Sequence, residues 1–123
     1  MTEPLYRPHI IAHARNPQFR GVVASATHDA DRANPRCGDR CRMTAKIVDG
    51  AIIEARFDGE GCALSTAASS ILLEDLQGKH VIEIEALTDE MFLQLLGVDV
   101  TSGRIDCALF GLRTLRAALW PSL

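Results

Sequence analysis

The chain has 123 residues, 47% of them apolar and 24% charged, with 13 basic against 16 acidic side chains and a net charge of −3. This fits one folded domain, 1–123, with a core large enough to need no disulfides, and argues against disorder. The acidic balance speaks against a general nucleic-acid or anionic-membrane binder, no apolar run approaches the roughly 18 residues of a membrane span, and the N-terminal stretch, broken by Arg7, Pro8, His9 and His13, does not read as a secretory signal.

Leu5, Ile10, Ile11 and Ala14 share one helical face and predict a helix over 4–14, stopped at Asn16-Pro17. Phe19 and Val22-Val23 suit a short strand, and the polar stretch 27–36 reads as an ordered surface loop. From 41 to 48, Cys41, Met43, Ala45 and Ile47 alternate with Arg42, Thr44 and Lys46. Asp49-Gly50 is a two-residue hairpin turn, and a return strand over 51–58 places Ile53, Ala55 and Phe57 on one face. Ser65 is the expected N-cap of a helix running to about Gln77, with Gly78 as its stop. The stretch 79–86 reads as extended or loop. Thr88 caps a short helix over 89–96, and a final helix covers about 104–119. Antiparallel strands followed by helices give an α+β domain, with helices against a small sheet of about three strands.

Four cysteines stand on this map: Cys37, Cys41, Cys62 and Cys107. They are too few for a disulfide-rich secreted scaffold, which leaves metal binding, thiol chemistry or inert burial. Cys37, Cys62 and Cys107 fall at element ends, the last two at helix N-termini, where free N–H groups and the helix dipole favour a thiolate. Asp39 follows Cys37 by two residues and shares its side of an extended chain. It reads as an oxygen ligand, a base, or a solvated turn residue. Cys41 lies on the face of Met43 and Ala45 and reads as core. His9 and His13 have an i, i+4 spacing able to hold a metal, although an exposed amphipathic helix is the plainer reading. His28 lies in the approach to Cys37 and is a further candidate. Arg32, Arg36, Arg40 and Arg42 make a basic rim around Cys37, and Arg104 sits near Cys107.

The strings Asn34-Pro35-Arg36-Cys37-Gly38-Asp39-Arg40, Gly59-Glu60-Gly61-Cys62-Ala63 and Arg104-Ile105-Asp106-Cys107 together resemble the U-type iron–sulfur cluster assembly scaffold family, comprising IscU, SufU and the N-terminal domain of NifU. The resemblance implies a SufE/NifU-like fold and a cytoplasmic platform. A cysteine desulfurase supplies sulfur, iron is bound, and a transient [2Fe–2S] cluster forms and passes to apo iron–sulfur acceptor proteins. It implies Cys37, Asp39, Cys62 and Cys107 as ligands of the cluster, or of Zn2+ in the same site, with Cys107 the candidate persulfide acceptor. In SufU-type members the zinc site instead accepts sulfur from the desulfurase, a sulfurtransferase role. The branch stays open. The IscU-type histidine before the third cysteine is Asp106 here, either an oxygen ligand or a residue of the helix's first turn. The string that engages a dedicated Hsp70 chaperone is replaced by Val100-Thr101-Ser102-Gly103-Arg104, which leaves that partner doubtful. The motifs look SufU-like, yet the SufU insertion before the third cysteine is missing.

Overall fold

A computed structural model describes residues 8–35, 38–97 and 103–121. The predicted hairpin is its organising unit. Strands β2 (Asp39–Val48) and β3 (Ala51–Glu60) pair antiparallel and run two residues further at the open end than alternation alone indicates. Asp49 and Gly50 both take positive φ, 51° and 79°, as a two-residue turn matched to the strand twist requires.

The alternation of β3 is interrupted. Lys46 faces Glu54 but Ile47 faces Ile52, so Ile53 is an extra residue in a bulge. That one-residue slip moves Ile52 into the core and leaves Ile53 56% exposed, correcting the face assigned to it from sequence.

The stretch expected to be a surface loop contains a third strand, β1 (His28–Asn34), paired antiparallel to β2 at the edge of a sheet ordered β1-β2-β3. Its sequence, HDADRAN, has no apolar alternation because its outer side chains make charge pairs. Arg42 grips the Asp29 carboxylate with Nε and Nη2 at 3.1 and 2.7 Å, and Arg40 grips Asp31 with the same geometry. Arg42 thereby holds the Asp29 carboxyl below the usual range. Such charged edges also resist pairing with other chains. Phe19 and Val22-Val23 do not form a strand of their own. The Phe19 carbonyl and Gly21 N–H bracket Phe57 with two 2.9 Å bonds, a single bridge.

Five helices complete the described residues. The first, α1 (Pro8–Arg15), buries Ile10; the start of the predicted helix, before residue 8, lies outside the described residues. Helix α2 (Ala63–Leu76) is the central one, buried on most sides, and its small Ala67, Ala68, Ser69 and Ser70 admit close neighbours. Helix α3 (Val81–Ala86) replaces the expected extended stretch 79–86. The chain there makes only one bridge to the sheet, between His80 and Ala51, after which His80 Nδ1 caps the helix by accepting from Ile82 N–H. Helix α4 (Asp89–Leu96) is capped by Thr88 as predicted and stops at Gly97. Helix α5 (Ile105–Leu119) packs across β1 and β2 and beside α2. A Cβ on Gly111 would stand 2.3 Å from Ser69 Oγ, so the α2–α5 crossing depends on that glycine. The core joins Cys41, Met43, Ala45, Ala55 and Phe57 of the sheet to Leu72, Leu73, Phe92, Leu109, Leu112 and Leu115 of the helices. At roughly 25 cal/mol per Å2, apolar burial of this kind is the main stabilising term.

Candidate metal centre

Three chain ends meet at the open end of the hairpin. Asp39 opens β2, Gly61-Cys62 leaves β3, and Cys107 lies in the first turn of α5. Arg40 faces Glu60 in the strand register, which places Asp39 beside Gly61 and hence beside the entry to α2. The approach is close: a Cβ on Gly61 would lie 3.4 Å from the Asp39 carboxyl carbon and 2.3 Å from Ser65 Oγ. A side chain there would displace the Ser65 hydroxyl and press on the Asp39 carboxylate.

Cys62, and not Ser65, is the N-cap of α2. Its backbone is extended, with φ −68° and ψ 166°, and its Sγ accepts from Ser65 N–H at 3.5 Å. The helix therefore starts earlier than expected, and the thiol sits on its positive end. Ser65 Oγ turns back to donate to the Cys62 carbonyl at 3.1 Å.

One ligand atom from each of Asp39, Cys62 and Cys107 lies within 4.8 Å of the other two. Asp39 is 5% exposed, and its Oδ2 is buried with no hydrogen-bond partner among the described residues. A buried carboxylate oxygen without a donor is unfavourable by about 1–3 kcal/mol or more, and a cation would relieve it. Tetrahedral zinc, with ligands at about 2.0–2.3 Å, separates its donors by about 3.3–3.8 Å. Closing this ring on an ion therefore asks for movements of roughly 1 Å. Two thiols and one carboxylate suit zinc or iron–sulfur chemistry, and do not suit magnesium or calcium, which take oxygen alone. Cys37, the fourth residue of the expected ligand set, and Arg36 lie outside the described residues.

The NifU-like N terminal domain family matches residues 5–121. The chain belongs to that family. Among its relatives, an iron–sulfur cluster assembly scaffold protein IscU of Thermotoga maritima is 30% identical, covering 94% of this chain and 92% of its own length. An IscU of Aquifex aeolicus is 32% identical, covering 93% and 73%. The zinc-dependent sulfurtransferase SufU of Bacillus subtilis is 42% identical over a shorter stretch, 64% of this chain and 53% of that protein. Among solved structures, a candidate scaffold protein for the SUF system from Fervidobacterium islandicum superposes with a TM-score of 0.81 at 23% identity, covering 94% and 96% of the two chains. The N-terminal part of a NifU-like protein from Brucella abortus gives 0.78 at 20%, covering 94% and 92%. The fold is that of the NifU-like N-terminal domain.

The other candidates of this NifU-like domain separate cleanly. Cys41 is buried in the core, as its alternation indicated. Burial pushes its thiol up to about 11, partly offset by hydrogen bonds with Thr114 and Ser69. Because the folded value exceeds the ordinary 9.0, this thiol favours folding below pH 9 and loses that contribution as pH rises through 11. Cys41→Ala is expected to show a flatter decline in stability between pH 9 and 11 than the parent, by on the order of 2 kcal/mol, measured by urea titration at each pH. An identical decline would place Cys41 in water.

His28 lies six residues along β1 from Asn34, which faces Asp39, so roughly 20 Å separates it from the cluster. It bonds Thr27 Oγ1 instead. His9 and His13 are each engaged with a different neighbour. His9 Nε2 bonds the Leu96 carbonyl at 2.6 Å, and His13 Nδ1 lies 2.7 Å from Ser70 Oγ, so both tie α1 to its neighbours. Asp106 sits in the first turn of α5 and accepts from Arg113 at 2.9 Å. Of the basic rim, Arg40 and Arg42 are engaged with Asp31 and Asp29. Arg104 is closer to the cluster than sequence position alone suggested: its Nη2 donates to Cys62 Sγ at 3.8 Å. Its only signal in sequence was its place three residues before Cys107. Among the described residues, no helix is long and apolar enough to cross a membrane.

Proposed function

We propose that this chain is a scaffold for iron–sulfur cluster assembly. It accepts sulfur from a cysteine desulfurase, with Cys107 as the acceptor. It binds iron and a transient [2Fe–2S] cluster through Cys37, Asp39, Cys62 and Cys107, then passes the cluster to apo-protein acceptors. As a whole it acts as one cytoplasmic domain, 1–123. The observation that carries this reading is the meeting of Asp39, Cys62 and Cys107 around a buried, unpartnered carboxylate oxygen. The relatives called scaffolds, similar to this chain over more than 90% of it, support the same role.

The chemistry follows from the donors. Cys62 and Cys107 bring soft sulfur donors, placed at helix N-termini, to iron or sulfane sulfur. Asp39 brings a harder oxygen ligand, a poorer partner for iron–sulfur chemistry than sulfur, which suits a cluster that must leave. A second reading is a zinc-dependent sulfur acceptor, favoured by the 42% identity to the sulfurtransferase SufU. Zinc, when bound, would hold the cysteines as thiolates at neutral pH, and the same four residues would be its ligands.

Anaerobic incubation with a cysteine desulfurase, cysteine and ferrous iron separates the two. A scaffold develops visible sulfur-to-iron charge-transfer absorption, with iron and sulfide bound in equal amounts. A zinc-dependent acceptor keeps its zinc, forms no chromophore and raises desulfurase turnover. A chain that does neither is not a member of this pathway.

A further inference from the structure

We infer that Arg104 is the anion-binding element of this site: its guanidinium receives the terminal sulfur of a persulfide carried on Cys107, and releases Cys62 when that sulfur arrives. The inference rests on the sulfur-accepting role proposed above and adds to it the residue that holds the cargo. Arg20, Arg40, Arg42, Arg56, Arg113 and Arg116 each face a carboxylate within ion-pair distance. Arg104 has no carboxylate partner among the described residues. Its Nη2 is spent on the Cys62 sulfur, a weak acceptor, and its Nε is buried with no acceptor at all. A guanidinium is a planar fork of donors that binds anions through two nitrogens together. Here the fork is only weakly used, although it stands against the thiol cluster.

The position suits Cys107. Arg104 precedes it by three residues at the start of α5, so the two side chains leave the same side of the first turn. Cys107 Sγ is within 4.8 Å of the Cys62 sulfur that Arg104 touches. One S–S bond lengthens Cys107 by about 2 Å, enough to carry a terminal sulfur toward the guanidinium that now contacts Cys62. The Asp39 carboxylate, within 4.8 Å of both sulfurs, repels the anion and leaves Arg104 as its counter-charge among the described residues.

The transfer balances. The Cys107 sulfur attacks the terminal sulfur of the donor protein's persulfide anion. A new S–S bond forms on Cys107 and the donor's S–S bond breaks. The departing donor cysteine takes up the proton of the Cys107 thiol, so one S–S bond replaces another with no net oxidation. The product on Cys107 carries one negative charge, which the fork of Arg104 meets.

Arg104→Met keeps the length and apolar stem without the charge, and Arg104→Lys keeps the charge without the fork. Each protein is loaded by a desulfurase with cysteine and then freed of both. The persulfide left on Cys107 is followed over time by alkylation and peptide mass, and zinc affinity is measured by chelator competition. Zinc affinity is expected to fall by no more than about tenfold in either variant, the effect of losing one outer-shell donor to Cys62 Sγ, and zinc binding itself is retained. The Cys107 persulfide lifetime is expected to fall about tenfold in Arg104→Met, the effect of one charged hydrogen bond, and to recover in part in Arg104→Lys. An unchanged lifetime in Arg104→Met overturns the inference, as does joint loss of zinc and persulfide, which would make Arg104 structural. Sulfur found only on Cys62 or Cys37 of the parent overturns it while sparing sulfur acceptance. A parent chain that takes up no sulfur removes both.

Discussion

Removal of bound metal from the zinc-loaded protein by a chelator is expected to lower the melting temperature by roughly 10–20 °C. The site has no local framework of its own. Its donors arrive from the start of β2, the cap of α2 and the first turn of α5, so an ion held by all of them ties three elements together. An unfolded chain offers the same residues far apart in sequence, so most of the binding free energy appears as folding free energy. At a free zinc concentration 1,000 times the dissociation constant this amounts to about 4 kcal/mol. Thermal unfolding by circular dichroism, with and without stoichiometric zinc, checks it. Coincident curves would mean that the three donors do not act on one ion.

Asp39→Ala is expected to act in opposite directions on the two states. In the metal-free protein it removes a carboxylate oxygen that is buried without a donor among the described residues. Stability should therefore rise by about 1–2 kcal/mol, less whatever the small cavity takes back. In the zinc-loaded protein it removes a ligand. Even outer-shell partners are worth 10–100-fold in affinity, so the loss here should exceed about 100-fold. Denaturant titration of the metal-free variant and chelator competition for zinc measure the two effects separately. A metal-free variant less stable than its parent would show that Asp39 serves the fold and not the site. Stability given up at a functional carboxylate is a common pattern, since the group is kept for what it binds.

Much of this architecture is legible residue by residue. The hairpin follows from period-two alternation around Asp49-Gly50, α4 from its Thr88 cap and Gly97 stop, and the burial of Cys41 from its place beside Met43 and Ala45. The misread segments each have a cause of their own. In β1, cross-strand arginines and aspartates supply the pairing that apolar alternation signals elsewhere, so a strand rule tuned to hydrophobicity passes over it. In 79–86 the apolar residues Val81, Ile82 and Ile84 fit either period, and the hairpin tip decided, by bonding the backbone of 78–81 before the chain turned into α3. Ile53 went to the wrong face because a bulge leaves no mark in a sequence window.

For the site, chemical identity and order lie in the sequence. Three cysteine strings, an aspartate two residues after the first cysteine, and a hairpin between the first two strings already point to the proposed donors, since ligand chemistry belongs to side-chain type. Which atoms meet is set by the packing of the elements. The strand register sets Asp39 beside Gly61, the early start of α2 makes Cys62 the cap, and packing of α5 against α2 brings Cys107 alongside. The orphaned oxygen of Asp39 and the underused fork of Arg104 are invisible in sequence for the same reason. Burial and the lack of a partner depend on everything packed around a group, and no local pattern of residues records that.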